Sequence, residues 1–254
     1  LREFDLEGEA YSLSKASAEI ARAAADEFST GEKPRFVLGS MGPGTKLITL
    51  GQIEWDEMLA SYRTAMQGLI AGGADAILIE TCQDLLQVKC AINAALGALE
   101  DEGKTHEDVP LMVSITIEQM GTMLVGSSLE AAVTALRAYP VASIGLNCAT
   151  GPVEMGEHMK YLAKAWDRAI TCYPNAGLPV LEDGETVYPL GPRPMAEVLE
   201  KFVTEYGVSM VGGCCGTTPG HISALASMTA GLKPARTVEA TGDEPGLAAS
   251  SSSL

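Results

Sequence analysis

Residues 76–99, AILIETCQDLLQVKCAINAALGAL, join a short apolar run to an amphipathic stretch and define one repeating unit of the chain. The run Ala76–Ile79 is nearly continuous in apolar residues, as parallel strands are when both of their faces are covered. From Asp84, a residue type favoured at helix starts, apolar residues recur at helical spacing up to Leu99. The stretch therefore predicts a strand followed by a helix.

The strand and helix pattern of residues 76–99 recurs along the chain. Short apolar runs predict strands at Phe36–Leu38, Ala76–Ile79, Leu111–Ile115, Ser143–Leu146, Ala169–Cys172 and Val208–Val211. Helical periodicity is found at about Leu13–Phe28, Trp55–Ala71, Asp84–Leu99, Leu129–Arg137, Val153–Ala165, Met195–Tyr206 and Pro219–Met228. In the first of these helices the apolar residues are Ile20, Ala24 and Phe28. Strands that alternate with helices indicate an α/β fold with a parallel sheet.

A leading helix followed by six strand–helix units fits two architectures. One is a doubly wound sheet. The other is the last six units of an eight-unit barrel, in which the leading helix belongs to the second unit. The Gly-rich segment Gly39–Gly44 follows the first strand, but it contains Pro43 and no helix follows at once. These features argue against a phosphate-binding loop there.

The composition limits the functional class. Of the 254 residues, 33 are Asp or Glu and 17 are Lys or Arg, which gives a net charge of −16, and 46% are hydrophobic. The apolar fraction is too high for a disordered chain. The negative charge argues against binding to nucleic acid or to an anionic membrane surface, because it repels phosphate groups. No apolar run approaches the roughly 18 residues of a membrane span.

Both ends of the sequence are unusual for a complete single-domain protein. The chain begins Leu1-Arg2-Glu3-Phe4, without an initiator Met or a signal-peptide core, so we expect a trimmed chain or a fragment. Residues 240–254 are rich in Gly, Pro, Ser and acidic residues, as linkers are. We therefore expect a folded domain over 1–232, a linker or flexible tail over 233–254, and further chain after it.

The six cysteines are too few for a disulfide scaffold in a chain of this length. Because the sequence has no export signal, free thiols or metal ligands are favoured over disulfide bridges. We therefore expect a reducing, cytoplasmic compartment. Cys82, Cys90 and Cys172 are interpreted as small apolar core residues.

The strongest signal for chemistry is the segment GGCCGTTP at residues 212–219, between a predicted strand and a predicted helix. Neighbouring residues of a regular strand point to opposite faces, so Cys214 and Cys215 can reach one centre only if the backbone turns sharply. The flanking glycines permit such a turn. The pair therefore indicates a metal site or, alternatively, a redox pair.

A third cysteine follows another predicted strand, in GLNC at residues 145–148. In a barrel the carboxyl ends of the strands converge on one rim, where Cys148 would meet Cys214 and Cys215. Three thiolates with one open position form the ligand set of a catalytic zinc site, whereas four protein ligands close a structural one. Taken alone, Cys148 fits a ligand and a packing residue equally well. His221, near the pair, is interpreted as a surface residue at a helix start.

Several of these motifs together resemble the zinc-dependent homocysteine S-methyltransferase family. The matching segments are GLNC at 145–148, PNAG at 174–177, GGCCGTTP at 212–219, VSITIE at 113–118, and Glu80-Thr81 with Asp84 nearby. The likeness extends to about Leu232. It is greatest to the homocysteine-binding modules of cobalamin-dependent methionine synthases.

The resemblance implies a (β/α)8 TIM barrel and a zinc site. Cys148, Cys214 and Cys215 would bind Zn²⁺, and the homocysteine thiolate would take the fourth position and be methylated to methionine. A free thiol is mostly protonated at neutral pH, whereas a zinc-bound thiol is deprotonated. Three protein thiolates would also leave the centre electron-rich, so that the substrate sulfur stays nucleophilic.

The resemblance also implies a set of substrate contacts on the same rim. Glu80 would pair with the substrate ammonium, with Thr81 beside it. Asn175 would offer its amide oxygen to the zinc when substrate is absent. Asn147 and Glu118 would line the rim as further substrate contacts.

This chain departs from the family pattern at its start. The family barrel begins with a strand that bears an Asp-Gly-rich turn, whose backbone amides help to hold the substrate carboxylate, and a second strand follows. Neither is present, because residues 1–28 match the segment after that second strand. We therefore expect about the first two β/α units of the barrel to be absent from this chain, which leaves two strand edges exposed.

The source of the methyl group remains open between two versions of the family. In a multi-module protein it comes from methylcobalamin, regenerated from methyltetrahydrofolate, and the partners are the folate- and cobalamin-binding modules of the same protein. The linker-like C-terminal segment favours this version. The alternatives are a stand-alone enzyme that uses betaine or S-methylmethionine, and a non-catalytic zinc-binding or redox domain. No nucleic-acid or membrane partner is expected.

Overall fold

A computed structural model describes residues 1–233 and 235 of the chain. Within that range a parallel sheet contains β1 (Leu38–Met41), β2 (Ala76–Cys82), β3 (Leu111–Ile115), β4 (Val141–Asn147), β5 (Ala169–Tyr173) and β8 (Met210–Val211). An antiparallel hairpin is formed by β6 (Val180–Glu182) and β7 (Glu185–Val187). The helices are α1 (Ala10–Phe28), α2 (Trp55–Ala71), α3 (Leu85–Asp101), α4 (Leu129–Leu136), α5 (Gly156–Ala165), α6 (Pro192–Tyr206) and α7 (Pro219–Thr229).

The order of the strands identifies the architecture. Neighbouring strands of the sheet follow one another in chain order, β1-β2-β3-β4-β5-β8, and every pair is parallel. A doubly wound sheet reverses its strand order at a switch point, whereas a (β/α) barrel does not. The six strands therefore form a curled part of a TIM barrel, as predicted, and the doubly wound alternative is excluded. β1 and β8 are the edge strands of the described sheet.

Side chains on the two faces of the sheet enter different layers. In β2, Ile77 and Ile79 are fully buried in the large cluster that joins the sheet to the surrounding helices. Ala76 and Leu78, which alternate with them, belong to a smaller cluster with Met112 of β3. This smaller cluster lies on the inner face of the curled sheet. The alternation explains why the strands are apolar throughout, since both faces are covered.

Helix α1 forms where it was predicted but packs on a different face. Its predicted apolar residues Ile20 and Phe28 are 73% and 66% exposed, whereas Ala18 is buried. Gly68 of α2 explains which face of α1 is buried, because a Cβ built on this glycine would lie 2.4 Å from the carbonyl oxygen of Tyr11. The two helices approach too closely for large side chains, so α1 contacts α2 through its small residues.

The first strand lies further along the chain than predicted. Phe36, the expected first residue, is 69% exposed, and the sheet pairing begins at Leu38. The N–H of Val37 is bonded at 2.6 Å to the side chain of Asp75, which also accepts a hydrogen bond from Arg22. The N–H of Val37, which was expected to bond to a neighbouring strand, thus bonds to the Asp75 carboxylate instead.

The β6–β7 hairpin was not predicted, although the sequence contains a signal for it. Its two-residue turn is Asp183-Gly184, and both residues have positive φ angles, 51° and 85°. Asp-Gly is a favoured pair in such turns. The flanking strands are only three residues long and each contains polar residues, so they form no apolar run that would predict a strand.

The sequence also led to predictions about membrane-spanning segments and about the C-terminal residues 233–254. No described helix is long and apolar enough to cross a bilayer. The linker or tail predicted for 233–254 falls, apart from residues 233 and 235, outside the described residues.

Replacing Gly68 with Ala tests the close α1–α2 packing. Helix propensity alone would favour Ala by about 0.5–1 kcal/mol. The clash with the Tyr11 carbonyl should instead lower the free energy of unfolding by about 1–3 kcal/mol. Urea denaturation of the chain measures this change.

The matched control for this substitution is Gly156→Ala in α5, where an added Cβ meets nothing within 4 Å. This variant should be neutral or more stable. Equal effects of the two substitutions would contradict the packing described.

Candidate metal centre

Three cysteine sulfurs meet at the carboxyl end of the sheet. Cys148 directly follows β4, and Cys214 and Cys215 lie just after β8. The Sγ atom of Cys215 is 3.6 Å from that of Cys148 and 4.0 Å from that of Cys214. All three sulfurs lie within 4.8 Å of one another, and none is in a disulfide. The three cysteines that were expected at one rim therefore lie close together in the structure.

The spacing of the sulfurs fits a tetrahedral metal ion. Zinc–sulfur bonds of about 2.3 Å at tetrahedral angles place ligand sulfurs about 3.8 Å apart. The separations of 3.6 and 4.0 Å bracket that value. In residues 1–233 and 235, no fourth His, Cys, Asp or Glu ligand atom joins the cluster. Three protein ligands without a fourth match the ligand set of a catalytic zinc site.

A tight turn lets two adjacent cysteines serve one centre. The N–H and the hydroxyl of Thr217 both donate to the carbonyl of Cys214, at 3.2 and 2.7 Å. Gly216, inside this turn, has a φ of 76°, and a Cβ there would lie 2.3 Å from the Cβ of Tyr188. Both its conformation and its surroundings therefore require glycine. The turn supplies the change of direction that a regular strand could not.

The backbone at Cys148 is strained. Cys148 and Ala149 have φ angles of 63° and 53°, in the left-handed region that costs non-glycine residues roughly 1–2 kcal/mol each. Two hydrogen bonds hold the loop. The N–H of Cys148 donates to the carbonyl of Tyr173 at 3.2 Å, and the N–H of Asn175 donates to that of Thr150 at 3.1 Å. Strain of this kind is concentrated at functional sites.

The segment Tyr173–Ala176, which we call the central segment, also holds the double-cysteine turn. The N–H of Cys214 donates to the carbonyl of Pro174 at 2.8 Å. The N–H of Cys215 donates to Oδ1 of Asn175 at 3.0 Å, and the Cys215 carbonyl accepts from Ala176 at 2.9 Å. Both cysteine loops are therefore fixed to one stretch of chain. The Asn175 oxygen, which the resemblance assigns to zinc, is hydrogen-bonded to the backbone here.

Asn147 connects the cysteines with the neighbouring strands. Its side chain is fully buried, and its Oδ1 accepts from the N–H of Thr81 at 3.0 Å and the hydroxyl of Ser114 at 2.7 Å. Its Nδ2 donates to the Thr81 hydroxyl at 2.8 Å and lies 3.9 Å from the sulfur of Cys214. Thr81, with a φ of 59°, is thereby held in a left-handed conformation. The structure thus brings Thr81 and Asn147 to the cluster.

Glu80 and Glu118 occupy different parts of the rim. Glu80 lies near the end of β2 and accepts a 2.5 Å hydrogen bond from the hydroxyl of Ser40. Glu118 accepts from Nε2 of Gln83 at 3.4 Å. Among the described residues, no hydrogen bond joins either carboxylate to the three cysteines. Glu80 is therefore oriented by Ser40, whereas Glu118 belongs to a separate loop contact.

Two thiols of the cluster have pKa values that are shifted by their neighbours, whereas the three cysteines outside it have pKa values that are shifted by burial. The pKa of Cys148 is lowered to about 6, chiefly because the side chain of Cys214 hydrogen-bonds its thiolate. The pKa of Cys214 is correspondingly raised. Burial raises the pKa of Cys82 to about 12 and that of Cys90 to about 11, and it also raises the pKa of Cys172. These last three thiols are fully buried, which agrees with their interpretation as packing residues.

His221 is not the surface residue that was expected. It is only 6% exposed, and the N–H of Thr218 lies 3.1 Å from its Nδ1. Its Nε2 is 2.9 Å from the carbonyl oxygen of Leu190. The expectation was wrong because Thr218 and His221 cap α7 mutually, which turns the ring inwards. The spacing Thr218-x-x-His221 is the sequence signal for this contact.

The chain is similar to methionine synthases over almost all of its length. A profile of the homocysteine S-methyltransferase family matches residues 1–229. Methionine synthases from Mycobacterium tuberculosis and Mycobacterium leprae are each 47% identical to the chain, over 92% and 91% of it. The matched region is 19% of each relative, so the chain spans about a fifth of the length of these curated relatives.

Solved structures show the same fold. The homocysteine methyltransferase MmuM from Escherichia coli aligns in its apo form with a TM-score of 0.68 and 23% identity, over 87% of this chain and 75% of that chain. Its metallated form aligns with a TM-score of 0.69 and 22% identity, over 87% and 72%. At this identity the likeness establishes the fold, which is that of a barrel.

The pKa of Cys148 predicts its reactivity in the metal-free, reduced chain. A thiol reacts as its thiolate, so the rate of alkylation by iodoacetamide at Cys148 should be low below pH 6 and rise through about pH 6. Peptide mapping by mass spectrometry follows all six cysteines in one sample. Cys82, Cys90 and Cys172 are the internal controls and should remain unmodified. A midpoint for Cys148 near the ordinary value of about 8.5 would contradict the described cluster.

Proposed function

The chain belongs to the homocysteine S-methyltransferase family, and we propose that its three-cysteine cluster holds zinc and presents the thiolate of homocysteine for methylation to methionine. The observation that carries this proposal is the cluster of Cys148, Cys214 and Cys215, with sulfur separations of 3.6 and 4.0 Å. Three protein ligands leave one position of a tetrahedral zinc ion for a substrate sulfur. A closed structural site would need a fourth protein ligand.

The chemistry needs an ionised, electron-rich sulfur. When bound, zinc would supply the positive charge that lets the substrate thiol lose its proton near neutral pH. The three cysteines carry three negative charges when deprotonated, so they exceed the charge of a divalent ion and leave the substrate sulfur nucleophilic. No side chain has to act as a base beside the methyl donor, and the chain's remaining task is to position the substrate.

Glu80 is the proposed partner of the substrate ammonium. Its carboxylate lies near the end of β2, on the strand end that also carries Thr81. The hydrogen bond from Ser40 fixes one of its oxygens and leaves the other for a ligand. Through Asn147, the adjacent residue Thr81 is joined to Cys214, so the strand end that carries Glu80 is tied to the proposed sulfur site. Asn175 and Glu118 remain proposed rim contacts.

The methyl donor is proposed to be methylcobalamin, regenerated from methyltetrahydrofolate by other modules of a longer protein. The identity of 47% to two methionine synthases supports this. Residues 1–232 would be the homocysteine-binding module and 233–254 a linker to the next module. A stand-alone enzyme that uses betaine or S-methylmethionine is the second candidate. Its support is the likeness to the E. coli enzyme, which extends to the fold alone.

The proposed compartment is the cytoplasm. None of the six cysteines forms a disulfide, as is usual in a reducing environment.

A non-catalytic zinc or redox domain is a further alternative, and its cysteines would also be free of disulfides. It differs from the proposed enzyme in having no open metal position for homocysteine, which metal analysis can test.

Metal content of cysteine variants tests the zinc site. The reduced chain should bind one zinc, and Cys148→Ala, Cys214→Ala or Cys215→Ala should each abolish stoichiometric binding, because each removes one of three ligands. Atomic emission analysis after dialysis against zinc measures the ratio. Cys172→Ala, which alters a buried packing cysteine, is the control and should retain the metal. Full occupancy in any of the three ligand variants would refute the three-cysteine site.

Replacing Glu80 with Gln tests the ammonium contact. Loss of a charged hydrogen bond, worth about 1.5–3 kcal/mol, should weaken binding of homocysteine to the zinc-loaded chain by roughly 10- to 100-fold. Zinc content should not change. Isothermal titration calorimetry measures the affinity.

The matched ligand for this test is 4-mercaptobutyrate, which has the same carbon chain, thiol and carboxylate but no ammonium. Its affinity should be the same for wild type and Glu80→Gln. If the substitution weakened both ligands equally, Glu80 would not be the ammonium partner.

A further inference from the structure

The side chain of Asn147 is enclosed near the carboxyl ends of β2, β3 and β4. It is fully buried, and so is Ser114 beside it. The resemblance to the family places Asn147 among the substrate contacts of the rim. A side chain that solvent does not reach can contact a substrate only if its surroundings open. The groups that Asn147 contacts in the folded chain indicate a different role.

Two donors fix the orientation of the Asn147 amide. The N–H of Thr81 can only donate, so the atom that faces it at 3.0 Å is the amide oxygen Oδ1. The hydroxyl of Ser114 lies 2.7 Å from the same oxygen. With the oxygen placed in this way, Nδ2 faces the Thr81 hydroxyl at 2.8 Å and Sγ of Cys214 at 3.9 Å. The amide nitrogen is therefore the atom next to the cysteine cluster.

These contacts use the full hydrogen-bonding capacity of the amide. Its oxygen accepts two bonds, and its two N–H groups have one acceptor each, the Thr81 hydroxyl and the Cys214 sulfur. Because sulfur is larger than oxygen, hydrogen bonds to it are longer, and 3.9 Å is near the upper end of their range. In this conformation Asn147 has no donor or acceptor left for a substrate group.

The backbone of Cys214 is fixed, and its sulfur is oriented by the side chain. The N–H of Cys214 donates to the Pro174 carbonyl at 2.8 Å, and its carbonyl accepts two bonds from Thr217. The remaining freedom is the side-chain torsion, which a donor at the sulfur can fix. Asn147 also directly precedes Cys148 in the chain. It is therefore joined to two of the three cysteines, to Cys148 by a peptide bond and to Cys214 by its amide.

We propose that Asn147 is a positioning residue whose amide donates to the Cys214 thiolate and fixes the orientation of that metal ligand. The inference rests on the proposed zinc function of the cluster, and it gives Asn147 this role in place of a substrate contact. A thiolate can only accept hydrogen bonds, so an N–H group is its matching partner. Hydrogen-bond partners of metal ligands orient the ligand and tune the metal, and their loss typically weakens metal affinity 10- to 100-fold.

The substitution Asn147→Asp removes the N–H groups and keeps the shape of the side chain. The carboxylate can still accept from Thr81 and Ser114, whereas it presents no donor to Cys214. At about pH 8, where an aspartate is ionised, the zinc dissociation constant of the reduced chain should increase at least tenfold. Competition with a chromophoric chelator measures it. In the Co²⁺-substituted chain, the thiolate-to-metal charge-transfer band should move to lower energy, because a thiolate without a donor gives up its electrons more easily.

Asn93→Asp is the matched control. It makes the same change of atom and charge on the exposed face of α3, where the Asn93 amide bonds to the carbonyl of Lys89. Its zinc affinity and Co²⁺ spectrum should equal those of wild type. Ser114→Ala is a milder second variant, which removes one of the two donors that orient the Asn147 amide. Its charge-transfer band should move in the same direction by a smaller amount, and it decides the test if circular dichroism shows that Asn147→Asp does not fold.

A substrate contact would give a different pattern. Zinc affinity and the Co²⁺ band would then be unchanged in Asn147→Asp, and only homocysteine would bind more weakly. An unchanged affinity and band in that variant, or in Ser114→Ala where it alone folds, would overturn the positioning role while leaving the zinc function intact. Failure of the wild-type chain to bind zinc or Co²⁺ would overturn the proposed function, and this inference with it.

Discussion

The central segment Tyr173–Ala176 is the constraint on which the site depends. It leaves β5 between the loop of Cys148 and the turn of Cys214 and Cys215, and its backbone and the Asn175 side chain bond to both. Since β5 lies between β4 and β8 in the sheet, parallel pairing brings the two cysteine loops to the same end. Neither loop forms a cluster alone. The position of the sulfurs therefore follows from the order of three neighbouring strands.

Stability and function are separated along each strand. The strand bodies carry buried apolar residues such as Ile144 and Ile170, whereas polar and strained residues occupy the carboxyl ends. Left-handed backbone at Thr81 and Cys148 costs free energy that the packed sheet and the hydrogen bonds of Asn147 offset. The rim is thereby held in a conformation that the local sequence disfavours. A ligand set fixed in advance loses less entropy when it binds a metal or a substrate.

The strands, the helices and the cysteine motif could be predicted from the sequence. Contacts between residues that are far apart in the chain could not. The six strands, the helices and the three cysteines at one rim follow from apolar periodicity and from the rule that parallel strand ends converge. The exposed Ile20 face of α1 depends on Gly68 in another helix. The buried position of the His221 ring combines a local cap with Thr218 and a bond to the distant carbonyl of Leu190. Periodicity carries no information about such partners, although local turn and cap signals at Asp183-Gly184 and Thr218 were readable.

The role proposed for the three cysteines is to hold a metal whose fourth position accepts the substrate sulfur. X-ray absorption at the zinc edge, recorded with and without selenohomocysteine, tests it most directly, because selenium differs from protein sulfur as a scatterer. We expect three sulfur ligands and one lighter ligand in the zinc-loaded chain, and three sulfurs plus one selenium after addition. Four sulfur ligands before addition, or no zinc–selenium scattering afterwards, would contradict it.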